Sequence, residues 1–136
     1  MADDVLLNKA ATIERGVGRA REEYAKDPAT FPDDLTRQDA AILNLQRACE
    51  ATIDAGNWLI RRHRLGLPQS ARDVFDILAT AELIDTPLAR AMKQMTCFRN
   101  IAVHDYQAIH IPIVVAIIED HTDELLAFAT RLVELA

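Results

Sequence analysis

Aromatic residues make up only 5% of this 136-residue chain, and glycine occurs just four times. Both scarcities argue against a sheet, since strands draw on aromatic and β-branched side chains and their tight turns on glycine. Basic charge is short as well: 15 Lys and Arg against 21 Asp and Glu leave a formal net charge of −6. No extended basic face is available for a sequence-independent grip on nucleic acid, so chemistry on such a substrate must rest on a few focused contacts. The two cysteines, Cys49 and Cys97, have no CxxC spacing, which reads as two buried free thiols in a reducing compartment. No apolar run approaches the roughly 18 residues of a membrane span; the longest, Ile111 to Ile118, contains Pro112. Met1-Ala2-Asp3-Asp4 opens acidic, without the basic segment and apolar core of a signal peptide. The expectation is a cytoplasmic protein with no membrane partner.

Chemical motifs are sparse too. No glycine-rich phosphate loop marks an NTPase, and neither HExxH nor paired Glu-x-x-His marks a metal centre. No metal and no cofactor are expected. His121, set among Glu119, Asp120, Asp123 and Glu124, reads as a solvated acidic turn between helix segments.

What the chain does have is helical periodicity. Half of its residues are hydrophobic, and they recur at three- and four-residue steps. Leu6, Ala10, Ile13, Val17, Ala20 and Tyr24 mark a helix from Val5 to Lys26, ended by Asp27-Pro28. Thr36 with Asp39 three residues on resembles a capping box and opens a long helix striped by Ile42, Leu45, Cys49, Ile53, Gly56 and Leu59. The basic run Arg61-Arg62-His63-Arg64 closes it, as cations suit a helix C-terminus. Ser70 with Asp73 starts a shorter helix carrying Val74, Ile77 and Leu78. Asp85 or Thr86, followed by Pro87, starts another through Leu88, Met92, Met95 and Phe98. Pro112 suits the first turn of a last helix carrying Ile113, Ile117, Ile118, Leu125, Phe128, Leu132 and Leu135. The predicted fold is a single all-α domain over 1–136, a four- to five-helix antiparallel bundle.

Polar chemistry gathers in one octet at a helix end, Arg99-Asn100-Ile101-Ala102-Val103-His104-Asp105-Tyr106. A five-residue step in a continuous helix turns side chains about 140° apart. Arg99 and His104 therefore converge only at a helix break between them, or in a groove shared with a second copy. Chemically the pair suits metal-free RNA cleavage, in which the substrate's own 2′-hydroxyl attacks the neighbouring phosphate. An imidazole, His104, can move the proton near neutral pH. A guanidinium, Arg99, offers a fixed fork of donors to the developing phosphorane charge. Asn100 can hydrogen-bond phosphate or orient His104. One His per chain is short of a separate base and acid, and two octets in one cleft would supply both. The competing reading is an ordinary helix terminus, since helix ends attract cations anyway.

Arg99-Asn100-x-x-x-His104-x-Tyr106, at the end of the penultimate long helix of an all-α domain this size, resembles the R-x4-H-x-Y motif of HepT-like toxins in the HEPN superfamily. The second helix, opening at Thr36-Arg37-Gln38-Asp39 and passing through Glu50 and Asn57, is similar to the family's second helix. The resemblance implies an endoribonuclease toxin that dimerises, so that two motifs line one cleft and act on an RNA substrate. Arg99 and His104 are then catalytic and Asn100 supporting. The implied partner is a minimal nucleotidyltransferase antitoxin that attaches AMP to the motif tyrosine, Tyr106. The alternative within the superfamily is a non-catalytic module that docks or regulates the nucleotidyltransferase.

Overall fold

The structure, a computed structural model, describes residues 2–136. Helix α1 (Asp4–Ala25) begins at Asp3, whose Oδ1 accepts from the backbone N–H of Val5 and Leu6 at 3.0 and 3.3 Å. The other oxygen of Asp3 reaches the far end of the long helix α2 (Leu35–His63), accepting from Trp58 Nε1 at 2.8 Å and an Arg62 Nη at 2.9 Å. One carboxylate thus caps α1 and pins it to α2.

The two helices run antiparallel, as their contacts show in order. Lys9 meets Asp54 at 3.2 Å, Gly16 lies against Asn44 and Ala48, and Arg37 donates to the carbonyl of Glu23 at 2.9 Å. Position falls along α2 as it rises along α1. Gly16 is required at this crossing: a Cβ there would come within 2.6 Å of the Asn44 carbonyl oxygen, whereas one at Gly18 would meet nothing. At the turn between the helices, Arg37 also donates to the carbonyls of Tyr24 and Asp27 at 3.1 and 2.8 Å. Of these, the Glu23 and Tyr24 carbonyls belong to the last turn of α1, where acceptors lack intrahelical partners.

Helix α2 starts two residues before the sequence predicts. Asp34, not Thr36, is its N-cap, accepting from Arg37 N at 3.1 Å. The aspartate two residues upstream takes the capping geometry first, and Asp39 is left for another task. Arg64 ends α2 in the left-handed region at φ 53°.

Helix α3 (Ala71–Thr80) is capped by Ser70 and α4 (Thr86–His104) by Asp85, with Pro87 in the first turn, as predicted. Lys93 holds α4 to α3 through Asp76 at 3.0 Å. A short 3₁₀ turn, Tyr106–Ala108, leads to α5 (Ile111–Ala116), a π-helical turn (Ile117–His121) and α6 (Thr122–Leu135). These last three segments follow one another without a gap, so the expected acidic turn at His121 is a π segment inside a helix. Tyr24 donates to Glu119 at 2.9 Å and Arg21 to Thr122 at 3.0 Å, tying α1 to that segment.

The predicted apolar stripes meet in one core. Leu6, Ile13, Leu45, Leu59, Met92 and Leu125 are fully buried, and Phe75 packs edge-on against Phe128 at 5.7 Å. Each such side chain contributes roughly 1.5–3 kcal/mol of burial. Cys49 lies in this core, but Cys97 is exposed, contrary to its expected burial, as is Ile113. Both border an apolar cavity of about 440 Å³ between α4 and the last helical rod. There is no strand among the described residues, and no helix is long and apolar enough to cross a membrane. The all-α antiparallel bundle is the fold.

Candidate functional site

Every residue of the octet lies at the C-terminal end of α4 or in the turn that follows. Helix α4 continues without interruption from Arg99 through His104, and Asp105 N caps it by donating to Ile101 O at 2.8 Å. The break comes after His104 and not between the two candidates, because Ile101, Ala102 and Val103 contain neither glycine nor proline to stop the helix. Arg99 and His104 are thus about 140° apart around one axis. A single copy does not bring them together.

Arg99 is the better fixed of the two. Its Nε is buried and has no hydrogen-bond partner, while Glu50 Oε1 stands 3.6 Å away, at ion-pair range but beyond a good hydrogen bond. One Nη donates to Asn100 Oδ1 at 3.0 Å. Asn100 therefore positions Arg99 rather than His104. Gln46 Nε2 in turn donates to Glu50 Oε1 at 3.1 Å, so the carboxylate is itself oriented. Beneath them the Cys49 thiol is pushed up to about 12, first by burial and then by the Glu50 charge, with Arg99 acting in the opposite sense. At neutral pH this thiol stays protonated and inert.

His104 is the last residue of α4 and is exposed; among the described residues its imidazole makes no hydrogen bond or ion pair with a protein group. Its nitrogens are open to a ligand.

Tyr106 is 43% exposed, so a reagent from outside can reach it. Its hydroxyl donates a short hydrogen bond to Asp39 Oδ1, across a sequence separation of 67 residues. The phenol is pushed up to about 12 by partial burial, then by this hydrogen bond and the Asp39 charge.

Asp39 and Glu50 escape a motif-based reading because both lie on α2. One signal was available. Steps of seven and eleven residues bring side chains within about 20° of each other around a helix, so Asp39, Gln46 and Glu50 form one polar stripe. The structure lays that stripe along α4, with Glu50 at Arg99 and Asp39 at Tyr106.

Comparison with known proteins agrees with this architecture. The HepT-like family, described as ribonuclease HepT-like, matches residues 13–132. An mRNA nuclease HepT of Shewanella oneidensis is 46% identical over 126 residues, covering 93% of this chain and 94% of the relative. Among solved structures, a toxin-antitoxin crystallised with AMP-PNP superposes with a TM-score of 0.92 at 42% identity, over 98% of this chain and 100% of the other. A tri-AMPylated Shewanella oneidensis HEPN toxin, in complex with an MNT antitoxin, superposes at 0.91 with 43% identity, over 98% and 99% of the two chains. With its octet complete at the exposed end of α4 and the family match spanning nearly its whole length, this chain belongs to the HepT-like ribonuclease family.

Proposed function

We propose that this protein is a metal-independent endoribonuclease toxin that works as a homodimer, with Arg99 and His104 as its catalytic groups. In the reaction the RNA 2′-hydroxyl loses its proton to a His104 imidazole and attacks the adjacent phosphorus. The 5′-oxygen departs with a proton from the second copy's imidazole, leaving a 2′,3′-cyclic phosphate. Arg99, steadied by Asn100 and Glu50, presents donors to the charge that develops on the phosphoryl oxygens. The observation that carries the reading is the open His104 imidazole at the end of the helix that holds the half-buried Arg99 guanidinium.

Dimerisation answers the helical geometry. Two side chains about 140° apart on one helix can share a substrate only if a second helix end faces the first. Ile101, within the octet, and Ile113 are both exposed at the apolar cavity between α4 and the last helical rod, and such exposed apolar side chains favour a protein partner. Neutralisation is assigned to Tyr106. A nucleotidyltransferase antitoxin transfers AMP to its hydroxyl, and the attached phosphate then occupies the neighbourhood that substrate phosphate needs.

The test is cleavage of RNA by the purified protein in EDTA, with analysis of the product ends. Cyclic phosphate ends are expected, with activity lost in both Arg99→Ala and His104→Ala. Cleavage that survives both substitutions overturns the assignment. For the off-switch, intact mass after co-expression with the antitoxin should rise in AMP steps, and these should vanish in Tyr106→Phe.

A further inference from the structure

We propose that Asp39 is the proton acceptor for nucleotidyl transfer to Tyr106, taking the phenolic proton as the tyrosine oxygen attacks the α-phosphorus of ATP. The inference rests on Tyr106 being the modified residue, as proposed above. One bond forms, between Tyr106 Oη and the α-phosphorus. The bond from that phosphorus to the oxygen bridging to the β-phosphate breaks, and diphosphate leaves with its electron pair. The proton passes to Asp39 Oδ1.

Three observations support this. First, the Tyr106 hydroxyl donates its hydrogen bond directly to Asp39 Oδ1, so the acceptor stands in line for the proton that must leave. Second, Asp39 has no competing structural duty. Asp34 caps α2, and Asp39 forms no ion pair with Lys, Arg or His among the described residues. Third, the Tyr106 phenol, pushed up to about 12, provides little phenolate near neutrality and needs a base to become a nucleophile. The remaining ionisable groups of the segment, His104, Asp105 and His110, make no hydrogen bond to the Tyr106 hydroxyl. Tyr106 is also exposed enough for a transferase site to reach it with its hydrogen bond to Asp39 kept.

The experiment follows intact mass over time when the toxin is mixed with the nucleotidyltransferase antitoxin and ATP, comparing wild type, Asp39→Asn, Asp39→Glu and Tyr106→Phe across a pH series. Asp39→Asn is expected to slow addition of the first AMP by about 10²–10⁴-fold, the usual contribution of a positioned base. Its residual rate should climb about tenfold per pH unit, because it then depends on free phenolate, while the wild-type profile is flatter. Asp39→Glu should recover part of the rate. Melting temperature and co-purification with the antitoxin confirm that Asp39→Asn is folded and docks. An Asp39→Asn protein modified at the wild-type rate, with the wild-type pH profile, overturns the inference and leaves Tyr106 as the target. A wild-type protein that gains no AMP, or gains that persist in Tyr106→Phe, overturns the modification reading and this inference with it.

Discussion

Glu50 on α2 and Arg99 on α4 face each other at 3.6 Å, with the Arg99 Nε buried between them and hydrogen-bonded to nothing. Such a nitrogen is costly to bury unless a countercharge stands by. Glu50 is that countercharge, and Gln46 keeps it in place. Replacing it with an uncharged isostere should loosen the guanidinium. Glu50→Gln is expected to lower kcat/KM for RNA cleavage about tenfold, or about 1.4 kcal/mol of transition-state stabilisation. A fluorogenic RNA assay reads this directly, and an unchanged or raised value would refute the positioning role.

The two N-terminal glycines should behave in opposite ways. Gly16→Ala drives a Cβ to within 2.6 Å of the Asn44 carbonyl oxygen, so the α1–α2 crossing must open. Overpacking of this kind costs about 1–3 kcal/mol, equivalent to a fall of several degrees in Tm. Gly18→Ala meets no atom within 4 Å and gains helix propensity, so it should stabilise by up to about 1 kcal/mol. Thermal melts of the two variants decide the matter, and equal shifts would contradict the close approach.

Alkaline titration should separate the two tyrosines from free phenol. Tyr106 is raised to about 12 by burial and by Asp39, and Tyr24 is raised by its hydrogen bond to Glu119. A folded-state value above the unfolded one, about 10, means the contribution to stability is full below pH 10. It is lost as pH rises through about 12. The phenolate absorbance difference between wild type and Tyr106→Phe should have its midpoint near that upper value. A midpoint near 10 would show that the Asp39 contact is absent in solution.

Acid should release the N-terminus at Asp3. The hydrogen bond from Trp58 is the main cause that holds its carboxyl below the usual range, assisted by the backbone N–H of Leu6 and Val5 and by Arg62. A depressed folded-state value means the tether is fully present above the unfolded value of about 3.9 and is lost as pH falls through the lower, folded one. Trp58 is the only tryptophan, so its emission reports the event. Asp3→Asn should show the acid-form emission already at neutral pH, and identical spectra would disprove the link.

Features that depend on neighbours a few residues away are legible in the linear chain. Ser70 and Asp85 signal their helices because a cap bonds to an N–H three residues on, and the apolar stripes of α1 and α2 follow from a 3.6-residue period. The R-x4-H-x-Y spacing was likewise local, and it sufficed to pick out Arg99, Asn100, His104 and Tyr106 as candidates and to indicate the family. Two local signals misled. Thr36 and Asp34 both offer a capping oxygen, and the geometry of the α1–α2 turn, fixed by Arg37, chose Asp34. Cys97 fits an apolar pattern, but its side of α4 borders the open apolar cavity. Which polar groups meet across α2 and α4 was settled by helix packing. Asp39 reaches Tyr106, and Glu50 reaches Arg99, because two long antiparallel helices align stripes that lie far apart in the chain. The tertiary structure also carried α4 unbroken through His104, so that one copy of the chain does not bring Arg99 and His104 together. Such long-range contacts depend on the packing of whole helices, and no window of a few residues encodes them.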